Sequence, residues 1–121
     1  MSSYPGKFTF VNNFGQTITQ GQAFHISSTG GAESIDLSGL ADGAARGPQG
    51  FTAYDGESDE WGFKVQLQNG ATYSVGQKQC NYERNEDSPR TVILNPVIAP
   101  NGGDREFYII EPVSSNCSTG F

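Results

Sequence analysis

Three carboxylates at alternate positions, Asp55-x-Glu57-x-Asp59, stand immediately before a strand, with Gly56 between the first two allowing a sharp bend. Clustered oxygens of this kind suit a hard cation, and a second acidic group, Glu83, Glu86 and Asp87, follows the partner strand of the same hairpin. Asp55, Glu57 and Asp59 are therefore the candidate ligands of a calcium site, against the plainer reading of a solvated acidic loop with no cofactor, which is the one expected. The spacing is not that of a helix-loop-helix calcium loop, because the position for its bidentate glutamate falls on Gln66 inside a strand. Aromatic and amide side chains flank the same acidic stretch. Tyr54, Asp55, Asp59, Trp61, Asn81 and Tyr82 make up a shallow carbohydrate site, in which rings meet the apolar face of a sugar and Asn and Asp meet its hydroxyls. Trp61 also shares a strand face with Phe63 and Val65, the pattern of a core residue.

Catalytic chemistry is poorly supplied. His25 is the only histidine, and the nearby Ser27, Ser28 and Asp36 lack the strained nucleophile turn that a hydrolytic triad needs. One histidine and two distant cysteines do not have zinc-site spacing. Glu57 and Glu83 would be a carboxylate pair for glycoside hydrolysis, but 121 residues leave little room for a substrate cleft. No glycine-rich phosphate loop opens a helix, so a non-enzymatic protein is expected.

The hairpin that positions these residues is the clearest element. From Glu60 to Gln68 every odd position is apolar and every even one polar or glycine, the period of a half-buried strand. Asn69-Gly70 marks the turn. A two-residue loop would set Val65 against Ser74 and Leu67 against Thr72; a three-residue loop, Gln68-Asn69-Gly70, pairs Leu67 with Ala71, Val65 with Tyr73 and Phe63 with Val75. The second register keeps the apolar side chains on one face and is the one expected. It sets Trp61 near Gln77 and brings both acidic loops to one end of the domain.

Around the hairpin, Phe8 and Phe10 share a face of a strand over residues 7–11. Ile18, Phe24 and Ile26 share a parity in the next extended stretch, which assigns His25 to the opposite, solvent face and suggests a bulge or bend at Gly21. Residues 27–50 read as loops around a short strand at Ser34-Ile35-Asp36-Leu37, with β character returning from Gln49 to Tyr54. Arg90 to Asn95 and Arg105 to Glu111 are further strands, joined by a long connection over 96–104 with its tip at Pro100-Asn101-Gly102-Gly103. No stretch of ten residues carries a helical period. Seven or eight short strands with turn signals between them predict an all-β, single-domain antiparallel β-sandwich over 1–121, with a flattened barrel as the alternative and residues 1–5 and 114–121 as poorly ordered termini.

Thirteen acidic against seven basic residues give a formal charge of −6, which repels nucleic acid and anionic lipid headgroups. No apolar run is long enough to span a bilayer. The opening Met1-Ser2-Ser3-Tyr4-Pro5-Gly6 lacks signal-peptide character, so the chain as written is expected in the cytoplasm; a recombinant start codon on a mature secreted domain would read the same. Cys80 and Cys117 either close a disulfide loop of about 37 residues, worth roughly 4 kcal/mol in the chain-entropy view, or pack as small apolar fillers. Asn116-Cys117-Ser118 matches an N-glycosylation acceptor if the chain is secreted. The few lysines leave edge strands unguarded, which leaves both a monomer and a homodimer by edge pairing open, with no edge singled out.

An acidic, aromatic-bearing β-sandwich of this size resembles in composition the small lectins and defence proteins of fungal fruiting bodies, a likeness that transfers no residue. The leading expectation is a lectin-like module binding a carbohydrate or glycoprotein. The alternatives are a calcium-dependent lipid- or protein-binding module and a structural or defence protein acting through an exposed loop such as 96–104.

Overall fold

In the computed structural model, which describes residues 2–29, 31–99, 103–114 and 116–121, the chain is all β with nine strands in two facing sheets. The strands are β1 (Ser3–Val11), β2 (Ile18–Ser27), β3 (Ala32–Asp36), β4 (Ala45–Tyr54), β5 (Asp59–Leu67), β6 (Thr72–Gln79), β7 (Thr91–Ile98), β8 (Arg105–Ile110) and β9 (Cys117–Gly120). One sheet has the order β4-β1-β7-β8-β9 and the other β3-β2-β5-β6. The sheets do not close into a barrel, so the fold is the sandwich. All pairings are antiparallel except β1 with β7, where Lys7 to Phe10 run parallel to Thr91 to Leu94.

The β5–β6 hairpin has the three-residue loop. Leu67 N–H donates to Ala71 O at 2.8 Å, Val65 faces Tyr73, Phe63 faces Val75, and Gly70 takes the left-handed conformation at φ 90°. Further along, the register shifts between Trp61 and Phe63, so Trp61 pairs with Lys78 rather than Gln77. Gly62 makes that bulge possible: a Cβ there would sit 2.4 Å from Val75 O and 2.5 Å from the Phe24 ring.

A second bulge overturns the reading of β2. Its pairing with β5 shifts between Ile18 and Gln20, ahead of Gly21, which turns Ile18, Ala23, His25 and Ser27 inward and leaves Phe24 and Ile26 half-buried on the outer face. His25 is thus a core residue, opposite Trp61, and not a solvent-face one. A strict two-residue period cannot be carried across a bulge.

The termini are also more structured than expected. β1 begins at Ser3 and buries Tyr4, while β9 pairs with β8 and Phe121 packs against the core. Cys80 and Cys117 are joined, with 5.9 Å between their Cα atoms, so the end of β6 is tied to the start of β9. β7 continues through the buried Pro96 to Ile98, shortening the connection that follows; the expected tip at Pro100, Asn101 and Gly102 lies outside the described residues.

Between the sheets, aromatic rings meet edge to face, Phe51 on Trp61 at 5.2 Å, Phe8 on Trp61 at 5.7 Å and Phe63 on Phe107 at 5.0 Å between centroids. The start of β1, the end of β4, the β5 start, the β6 end, the β7 start and the β8 end all lie at one end of this core, as their pairings require. Reduction of the disulfide is expected to lower unfolding free energy by about 4 kcal/mol in urea titration, from the 37-residue separation it closes. A loss under about 1 kcal/mol would show that β9 is held by its ladder alone.

Candidate functional site

Asp59, the first residue of β5, is 2% exposed and directs its carboxylate inward. Oδ1 lies 2.7 Å from His25 Nε2, and Oδ2 accepts the Tyr82 N–H at 2.9 Å. The other ring nitrogen of His25 lies 2.8 Å from Glu33 Oε1 on β3. Both ring nitrogens thus face carboxylate oxygens. Phe51 and Trp61 enclose the ring with centroids at 4.3 and 4.7 Å. Charges survive in such surroundings only when paired and hydrogen-bonded.

Tyr82 carries the arrangement into the loop after β6. Its hydroxyl spans the loop between Asp87 O at 2.8 Å and Arg90 O at 2.5 Å, while its own carbonyl accepts the Tyr4 hydroxyl at 2.5 Å. Burial, reinforced by Asp87 and Glu111, pushes the Tyr82 phenol well above its ordinary range. Burial, with Asp59, Glu83 and Asp55 adding and Arg84 opposing, raises Tyr4 to about 12. Both therefore remain hydrogen-bond donors at neutral pH.

Asp87 closes the loop. Its Oδ2 accepts the Glu83 N–H at 2.8 Å, and its Oδ1 accepts Val113 and Ser114 N–H at 3.1 and 3.0 Å. Burial works to raise its pKa, but these amides and the Ser114 hydroxyl outweigh it and hold the carboxyl below the ordinary value.

On the outside, Arg84 meets Asp55 through Nε at 2.9 Å and Nη2 at 2.7 Å and lies 4.6 Å over the Tyr4 ring. The Arg84 hydrogen bond lowers the Asp55 pKa. The pair clamps residues 55–58 to residues 81–86, and between the two loops lies a groove of about 790 Å³. The juxtaposition expected from the hairpin is present.

The expected site residues separate into two sets. Tyr54, Asp55 and Asn81 line the groove with exposed or half-exposed side chains. Tyr82 lines its base but is only 1% exposed. Trp61 has no exposed surface; its Nε1–H donates to Cys80 O at 2.9 Å, so it is a core residue and offers no platform to a ligand. Asp59 likewise faces His25 and not the groove. The three candidate calcium ligands diverge: Asp55 to Arg84, Glu57 to the Ser28 hydroxyl, Asp59 to His25 and Tyr82. Among the described residues, no three Asp, Glu, His or Cys side chains converge as metal ligands.

Sequence reasoning missed Tyr4, Arg84, Ser114 and Glu111. Glu111 had a signal, since it follows the inward parity of Phe107 and Ile109. Comparison with known protein families finds no matching family, and comparison with curated proteins finds no match.

Replacing His25 with Leu removes the ring nitrogen beside Asp59 Oδ1 and strands the carboxylate against the core, and a loss of about 3–5 kcal/mol is expected in denaturant unfolding. A loss below about 1 kcal/mol would contradict the pairing. Melting curves in millimolar calcium and in chelator are expected to superimpose, because the three carboxylates are committed elsewhere; a raised midpoint with calcium would show a site formed by rearrangement.

Proposed function

We propose that the protein is a non-enzymatic carbohydrate-binding module that uses the groove between residues 54–58 and 81–86. The observation that carries this reading is the clamp of Asp55 on Arg84, which holds a concave surface of sugar size open between two loops on a rigid scaffold. Tyr54 supplies a half-exposed ring, Asn81 and Asn85 supply amide donors and acceptors, and Glu83 and Glu86 stand at the rim. A polyol presents many hydroxyls that both donate and accept, and this lining matches it better than an apolar ligand.

Among the described residues lining the groove, Arg84 is the one cationic side chain, already engaged by Asp55, against several carboxylates. That balance favours neutral sugars over sulfated or acidic ones. The Cys80–Cys117 bridge supports a protein that works in an oxidising compartment.

A glycan array with the folded protein is expected to retain neutral glycans, and Tyr54→Ala or Asn85→Ala to lower their affinity about tenfold, a loss of roughly 1.4 kcal/mol, with an unchanged melting temperature. Folded protein that retains no glycan, or retention indifferent to both substitutions, would remove the reading.

A further inference from the structure

Ser114 sits between two carboxyl groups. Its Oγ is 2.7 Å from Asp87 Oδ2 and 2.5 Å from Glu111 Oε2. A serine hydroxyl has one proton to donate, so only one of these contacts can be a bond from Ser114; the other requires a proton on the carboxyl group. Asp87 is the ionised member, stabilised by backbone N–H donors from Glu83, Val113 and Ser114. Glu111 is 3% exposed, and its Oε1 has no hydrogen-bond partner among the described residues. An ionised carboxylate would leave a charged oxygen buried and unpaired there, whereas a protonated one leaves only a neutral carbonyl oxygen. The consistent chain of donors runs from the Glu111 carboxyl to Ser114 Oγ, and from the Ser114 hydroxyl to Asp87.

We propose that Glu111, Ser114 and Asp87 form a proton-held latch that docks the segment after β8 onto the loop walling the groove, and that loss of the Glu111 proton releases it. The proposal rests on reading the groove as the binding site, since it concerns the regulation of that site. Val113 and Ser114 have no place in a sheet ladder; both amides are held by Asp87, and Ser114 itself lines the groove. With Glu111 ionised, two carboxylates face one hydroxyl. Moving residues 112–114 outward admits water to the buried Glu111 oxygens and to Asp87, which hydrates both charges without breaking a strand pairing.

The ionisable groups bearing on Glu111 are Asp87 and Tyr82 from the loop after β6 and Asp59 from β5. Burial, with Asp87 and Asp59 adding and the Ser114 contact opposing, raises Glu111 from its ordinary 4.5 to about 8. The folded protein therefore keeps a proton that the unfolded chain gives up. This contribution to stability is full below the ordinary value and is lost as pH rises to about 8. The latch is closed at neutral pH and opens in mild alkali.

The test follows the carboxyl carbon of Glu111 by carbon-13 NMR on the free wild-type protein from about pH 6 to about pH 10, with hydrogen exchange of the Val113 and Ser114 amides corrected for intrinsic rate. The carbon is expected to titrate with a midpoint of about 8, with protection of the two amides falling through the same range while sheet amides hold. Glu111→Gln, neutral throughout, is expected to keep both amides protected. A carbon titrating in the ordinary carboxylate range, or wild-type protection unchanged across the midpoint, overturns the latch. If Glu111→Gln does not fold, the wild-type titration alone decides. No sugar enters the titration, so the latch stands or falls independently of whether a glycan array records a hit.

Discussion

A carboxylate with no access to water must be fully engaged from within, and Asp59 is where this constraint shapes the molecule. One oxygen faces a histidine of β2, the other the backbone of Tyr82, and its own N–H approaches Asn81 Oδ1 at 3.3 Å. These contacts fix where the chain leaves β6 relative to where it enters β5. Because residues 55–58 end at Asp59 and residues 81–86 begin beside it, the groove's two walls share a single buried anchor. Moving either wall would leave a buried charge without one of its partners.

The polar end and the aromatic centre are complementary. Phe51 contacts the rings of Trp61, His25 and Tyr82, so the hydrocarbon core and the hydrogen-bond network meet at one side chain. Tyr82 performs both roles, stacking at 6.2 Å on Tyr4 while its hydroxyl reaches two carbonyls of its own loop. The loop is thereby held through polar contacts to the backbone, as irregular buried backbone requires. The disulfide and β9 secure the other flank, placing residues 111–114 against Asp87.

The hairpin register is legible in the sequence because residue alternation and turn chemistry agree, and agreement between two local signals leaves few alternatives. From it follows the adjacency of the acidic loops, without any knowledge of long-range contacts. The errors have a common source. Bulges at Ile18–Gln20 and Trp61–Phe63 reset the alternation, so an unbroken period places His25 outward and sets Trp61 against the wrong partner. β9 carries no apolar pattern of its own; it is ordered by pairing with β8 and by the cysteine bridge. Asp55, Glu57 and Asp59 look like one ligand set because they are close in the chain, whereas each carboxylate is drawn to partners at least 23 residues away. Local spacing reports which side chains are near, and only tertiary pairing reports which are free.

Substituting Asp59 with Asn tests the anchor most directly, because the amide keeps the shape of the side chain but has one acceptor oxygen where the carboxylate has two. Hydrogen exchange of the variant is expected to show faster exchange at Tyr82 and across both groove loops, with the amides of β5 and β6 near the turn unchanged. Unaltered protection in both loops would contradict the account, since it would mean that something other than Asp59 holds the two walls together.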